Sequence, residues 1–266
     1  MWATLTALAA LGPAAGQAGE LTLTNVRSAH GVLGPARAGD RLLPGDSYVL
    51  SFDIEGISAD ASGRVRYAMG TEVSNSAGRA LFRQDARDLE ATASLGGNRV
   101  PAFARVDIGL DQPPGDYTLR VTVTDRATGR TGALARKVTV LPRGFGLVRL
   151  ALTSDPDAQF PAPAPGAGQL LWVNFGIVGF ARDRASAQPH VTFQALVRDE
   201  GGKPTLARPL TGTGSRDVPE KALSLPIHFP LSLNRPGTFT LELAATDEVG
   251  KKTAKLSTPL VVRPVR

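Results

Sequence analysis

The sequence predicts an all-β fold: two antiparallel β-sandwiches in tandem, related by internal duplication. Three observations carry this. A segment recurs at a fixed distance, apolar and polar residues alternate along many short runs, and Gly and Pro punctuate those runs. The recurrence is clearest between Gly115–Asp125, GDYTLRVTVTD, and Gly237–Asp247, GTFTLELAATD. Tyr117 aligns with Phe239, Leu119 with Leu241, Val121 with Leu243 and Asp125 with Asp247. Both copies are entered through Pro-Gly, and both are followed by a Gly-containing turn and then a strand that runs into Pro142 or Pro264. A repeat longer than a supersecondary unit points to duplicated domains. Upstream the match continues in order: Phe52–Ile57 with Phe175–Phe180, Val65–Tyr67 with Val191–Phe193, and Ala104–Leu110 with Ile227–Leu233. The predicted domains are 19–142 and 143–266, with a short linker at Leu141–Gly146.

Each element follows from period-two patterning. In the strand at 115–125, Tyr117, Leu119, Val121 and Val123 share one face, while Thr118, Arg120, Thr122 and Thr124 share the other. That is a strand with one buried and one wet side. The same reasoning places strands near 21–28, 47–56, 63–73, 79–84, 102–110, 116–125 and 132–140 in the first domain. In the second they fall near 146–154, 169–180, 190–199, 204–211, 224–233, 238–247 and 254–262. Sustained helical periodicity is missing after the N-terminal stretch. Asp125 and Asp247 close their strands, where an Asp side chain caps the amides of the following turn.

Composition narrows the function. There is no Cys, which excludes disulfides, thiolate metal sites, Cys nucleophiles and lipoprotein acylation. The net charge of +6 is uneven. Residues 19–142 hold 15 Lys and Arg against 14 Asp and Glu, and residues 143–266 hold 15 against 10. These charges are scattered singly, not gathered into a basic stripe with interleaved aromatics, so the pattern does not point to nucleic acid. Residues 1–18 read as a signal peptide, with an apolar run at Trp2–Leu11 and small residues Gly16 and Ala18 at cleavage-site spacing. No Lys or Arg precedes that run. No apolar run reaches transmembrane length.

The stretch Gly115-x-Tyr117-x-Leu119 resembles the G-x-Y-x-C signature of immunoglobulin-type domains, with leucine in place of the cysteine. The two repeats together resemble the cysteine-free bacterial immunoglobulin-like and fibronectin-III-like modules of secreted proteins. That resemblance implies a corner in which the Tyr117 hydroxyl bonds back to the backbone, an interaction that Phe239 has no hydroxyl to make. The family's core tryptophan is missing, and Tyr67 and Phe193 lie near its place. The resemblance implies binding, spacing or scaffolding, and the fold alone does not choose among them.

Candidate chemistry is sparse. His30, His190 and His228 have no metal-ligand spacing, and a zinc site needs three or four converging ligands; His228 is expected on the polar face of its strand. No G-x-S-x-G elbow occurs, and Gly214-Ser215 and Ser76-Ala77-Gly78 read as loop residues. Asp155 and Asp157 could hold a weak calcium site, but a polar turn around Pro156 is the simpler expectation. The Pro-rich Phe160–Gly168 is expected to link the first two strands of the second sandwich. Trp172 is expected in the core or in a contact between the sandwiches. No catalytic, cofactor-binding or metal residue is assigned, and no cofactor is expected. The leading expectation is a non-enzymatic, secreted, periplasmic or cell-surface scaffold whose partner is an extracytoplasmic protein or polysaccharide. Two alternatives stand beside it: a carbohydrate-binding or enzyme-accessory module with exposed aromatics, and a binder of acidic polymers through Lys251, Lys252 and Lys255. Any specific activity is expected in the second repeat or at the junction.

Overall fold

The structure is a computed structural model that describes residues 20–265; the signal-like stretch lies outside them. Every regular element among these residues is a strand. In the first half, β1 (Thr22–Ala29), β3 (Ser47–Glu55) and β6 (Arg99–Asp107) form an antiparallel sheet in the order β1-β3-β6. Facing it is a sheet of β2 (Arg41–Leu42), β4 (Arg64–Asn75), β5 (Ala80–Thr92), β7 (Gly115–Asp125) and β8 (Thr131–Val140), in the order β2-β8-β7-β4-β5. In the second half, β9 (Gly146–Thr153), β10 (Leu170–Val178) and β13 (Ser224–Ser232) pair in the order β13-β10-β9. They face β11 (Val191–Asp199), β12 (Leu210–Gly214), β14 (Gly237–Asp247) and β15 (Lys252–Val262), in the order β12-β11-β14-β15.

The alternation read along β7 holds: Tyr117, Leu119, Val121 and Val123 are buried and their neighbours are not. They meet Leu50, Phe52 and Ile54 of β3 in one apolar core. Leu241, Leu243 and Ala245 of β14 meet Val173, Phe175 and Ile177 of β10 in another. Burying one such Val, Leu, Ile or Phe side chain contributes roughly 1.5–3 kcal/mol, so these interior faces are what hold a cysteine-free sandwich together. This is an immunoglobulin-like strand order in each half.

Several boundaries differ from expectation. β5 runs on to Thr92, well past 84, because its charged residues Arg83, Asp85, Arg87, Asp88 and Glu90 lie on an exposed sheet edge where apolar alternation is not required. Such charges also keep a free edge from pairing with another chain. β6 begins at Arg99, and β12 lies at Leu210–Gly214 instead of 204–211. The two-residue β2 carries no patterning to detect; it joins β8 in parallel, Leu42 opposite Val140.

Register also corrects two of the internal alignments. Tyr67 lies opposite Asp125 as Val191 lies opposite Asp247, so Tyr67, not Val65, is the counterpart of Val191. Ala102 lies opposite Phe52 as Ile227 lies opposite Phe175, so Ala102, not Ala104, matches Ile227. Both corrections are shifts of two, and an even shift leaves every side chain on its own face. That is why the core pattern was readable despite the error.

Candidate functional site: the joint between the sandwiches

The first and second sandwiches meet where the turn before β3 touches β9. β9 is bulged: its register against β10 slips between Val148 and Ala151, and Arg149 sits there with φ 55°. A bulge turns the local peptide out of the ladder. Here the freed amide of Arg149 donates to Oδ1 of Asp46 at 2.8 Å. The Arg149 guanidinium Nε donates to the carbonyl of Gly45 at 2.8 Å. Gly45 has φ 92°, a left-handed conformation that glycine adopts without strain. A Cβ there would also meet Leu110 at 2.8 Å and Val178 at 3.3 Å.

Asp46 is 2% exposed. A carboxylate buried this far is tolerable only when it is paired and hydrogen-bonded. Asp46 has both: the amides of Ser47 (2.9 Å) and Arg149 reach Oδ1, and Arg37 pairs with Oδ2 at 2.5 Å. Arg37 also donates to the carbonyl of Arg41. Apolar contacts surround these bonds, with Leu43 seated on Gly146 and Gly31 against Ala151. His30 is buried beside them, and its imidazole pKa is pushed down to about 4 by burial and then by the Arg37 cation, with Asp46 opposing.

The turn-opening aspartates do more than cap. Asp125 is fully buried and accepts from Ala127 N (2.9 Å) and Thr128 Oγ1 (2.8 Å) within its turn, and from Ser58 N (3.1 Å) in the loop after β3. Burial works against its ionisation, but these hydrogen bonds prevail and hold its pKa below the ordinary range. Asp247, also fully buried, accepts from Val249 N (3.1 Å), Gly250 N (2.9 Å) and Ala181 N (2.8 Å). Each aspartate therefore ties two loops together. The tyrosine corner is present as well. The Tyr117 hydroxyl donates to the Pro113 carbonyl at 2.7 Å and accepts from Gln112 Nε2 at 2.8 Å. In the second sandwich Arg235 stacks its guanidinium 4.8 Å from the centre of the Phe239 ring, a cation–π contact in place of the hydroxyl.

The remaining expected residues do not converge. His190 and His228 are exposed on separate strands or loops, and among the described residues no group of three or more His, Asp or Glu could hold a metal ion. Asp155 uses its carboxylate on the amides of Asp157, Gln159 and Phe160, which is the polar turn. Phe160–Gly168 links β9 to β10 as expected and also bridges Gly166 to Arg263 beside β15. Trp172 corrects its expectation: it is in neither the core nor the joint, but half-buried on the outer face of β10, its ring 6.0 Å from that of His228. Lys252 and Lys255 are three apart on an unbulged strand, so they face opposite sides and form no single patch with Lys251. No helix of the described residues is long and apolar enough to cross a membrane.

Sequence reading missed Asp46 and Arg149. Pro44-Gly45-Asp46 carried a turn signal, but the partner lies about a hundred residues away, and a bulge leaves no local mark in composition.

Strand order, register and the corner of Tyr117 define an immunoglobulin-like sandwich protein. No family model matches the chain, and no curated protein matches it. Among solved structures, the C-terminal domain of the Streptococcus pyogenes antigen I/II-family protein AspA aligns over 92% of this chain and 100% of its own, at 9% identity and a TM-score of 0.30. BspA_C_mut aligns over 92% and 99%, at 10% identity and a TM-score of 0.30. Pseudomonas fluorescens alkylpurine DNA glycosylase AlkC, bound to DNA containing an abasic site analog, aligns over 46% of this chain and 31% of its own, at 15% identity and a TM-score of 0.29.

Proposed function

We propose that this chain is a non-catalytic, extracytoplasmic scaffold. It consists of two duplicated immunoglobulin-like modules, 19–142 and 143–266, that hold partner-binding surfaces at a set angle. The partner class is a protein or polysaccharide outside the cytoplasm. The observation that carries this reading is the joint: Arg149 bonds to both Asp46 and Gly45 across it. A flexible string of modules needs no buried carboxylate at its hinge, whereas a spacer of fixed geometry does need directional bonds there. Inter-domain motion is the default unless the interface resists it.

Small-angle scattering and backbone NMR relaxation on the full chain test the reading. The wild type is expected to tumble with one correlation time. The double variant Asp46→Asn with Arg149→Ala is expected to give two faster ones while each sandwich keeps its own fold. Independent tumbling in the wild type would overturn the proposal.

A further inference from the structure

The first sandwich does not close completely. Between its sheets, at the end nearest the joint, lies a cavity of about 370 Å³. Its walls include Val73, Phe82, Val106, Ile108, Leu119 and Val138. Two tyrosines, Tyr48 and Tyr117, also line it, but their hydroxyls are already taken up: Tyr48 donates to Asp40 at 2.8 Å and Tyr117 donates to Pro113. The rings therefore present apolar surface to the cavity, and neither phenol is left to select a polar ligand.

The second sandwich carries larger aliphatic side chains at two matching positions. Val106 lies opposite Tyr48, and its counterpart Leu231 lies opposite Leu171. Val138 lies opposite Tyr117, and its counterpart Leu260 lies opposite Phe239. At two positions the first copy is thus smaller by a methylene. Its edge strand β5 then leaves Leu81 and Phe82 47% and 46% exposed at the opening. Native interiors close most such gaps, so an opening lined by apolar side chains stands out.

The opening has a charge preference. Arg105 and Asp107 are the charged residues lining it, and Arg105 holds Asp107 with Nε and Nη2 at 3.1 and 3.0 Å. Arg149, whose Nε bonds a neutral carbonyl, also acts on Asp107 from across the joint. Arg105 makes these bonds with Nε and Nη2, so its Nη1 donors face the entrance as the group to meet an anion.

We propose that this cavity is a binding site for an aliphatic carboxylate, with the hydrocarbon chain between the sheets of the first sandwich and the carboxylate at Arg105. Its volume lies in the range of small-molecule sites, which combine apolar walls with few polar groups. The chain would cover Leu81 and Phe82, and the head would meet a guanidinium that is half-exposed and keeps free donors.

Dodecanoate titrated into the full chain, followed by methyl NMR, is the test. Shifts are expected at Val73, Val106, Leu119 and Val138, and none at Leu231 or Leu260. Replacing Val106→Leu and Val138→Leu together adds one methylene to each of two cavity walls; the methyl spectrum of the second sandwich and of the rest of the first core is expected to be kept while affinity falls at least tenfold. Arg105→Gln is expected to weaken dodecanoate several-fold and leave dodecanol unchanged. Equal affinity in the double leucine variant would overturn the proposal, as would shifts centred on the second sandwich. So would binding to phosphatidylglycerol vesicles with no response to dodecanoate, because it would place a bilayer surface in the role assigned to the free acid.

Discussion

Asn25 and Arg149 occupy the same bulge in the two sandwiches, at φ 50° and 55°. In both, the first strand slips register by one residue against its neighbour, between Thr24 and Arg27 in β1 and between Val148 and Ala151 in β9. Their side chains have diverged. Asn25 donates within its own sandwich to Asp53 at 2.7 Å, whereas Arg149 reaches into the other one. The same strained backbone feature stands in both sandwiches, and in the second it forms the joint.

Backbone strain at these bulges is measurable by substitution. Asn tolerates the left-handed region, and a β-branched residue does not. Asn25→Val is expected to destabilise the first sandwich by about 1–2 kcal/mol, and Asn25→Gly by a few tenths. Urea unfolding of the two variants checks this; equal losses would place the effect in the lost Asp53 contact instead.

The buried aspartates predict local, separable damage. Asp125→Ala removes the acceptor for Ser58, Ala127 and Thr128 and is expected to cost about 2–4 kcal/mol. Asp247→Ala should do the same to the second sandwich. Hydrogen exchange distinguishes them: the amide of Ser58 loses protection in the first variant and that of Ala181 in the second, with no crossover.

Loss of the corner hydroxyl is a smaller change. Tyr117→Phe is expected to lower stability by about 1 kcal/mol, the net worth of one hydrogen bond. Calorimetry should place the whole loss in the first sandwich. Phe239 is the natural control, since its sandwich folds around Arg235 stacked on the ring.

Acid should weaken the joint before it weakens the rest. His30 has a folded pKa of about 4, against 6.5 for a free imidazole. At pH 7 both states are neutral and the stability is complete. As pH falls below 6.5 the unfolded chain binds a proton that the folded chain refuses, so stability declines until pH 4 and then levels off, a loss on the order of 3 kcal/mol. His30→Gln should flatten that part of the melting-temperature profile. The loss tied to Asp125, whose folded pKa is depressed, begins only as pH falls below 3.8.

The legible and illegible parts divide by locality. Tyr117, Leu119, Val121 and Val123 announce a half-buried strand because a sheet imposes a period of two on any chain that enters it. Asp125 and Asp247 were legible as turn-formers because their first partners are two or three residues away. Their second partners, Ser58 and Ala181, come from loops more than sixty residues distant, and nothing local marks them. The joint is wholly of the second kind. Trp172 shows the opposite difficulty: β10 is apolar on both faces near it, so alternation could not say which face was wet. The cavity was illegible because its lining residues come from six strands spread between Tyr48 and Val140, and only the folded register brings them together.

The parallel pairing of β2 with β8 has a mechanical consequence. The Thr139 amide donates to the Asp40 carbonyl and the Leu141 amide to that of Leu42, at 2.9 and 2.8 Å; in the second sandwich the Ala167 amide donates to the Arg263 carbonyl and the Arg263 amide to that of Pro165, both at 2.9 Å. Each pair fastens a segment near the entry of its sandwich to the strand by which the chain leaves. Because the two run in the same direction, tension along the protein pulls them in opposite senses past each other. The bonds of each clamp are then loaded in shear and must fail together, whereas an antiparallel clamp pulled from one end would open one bond at a time.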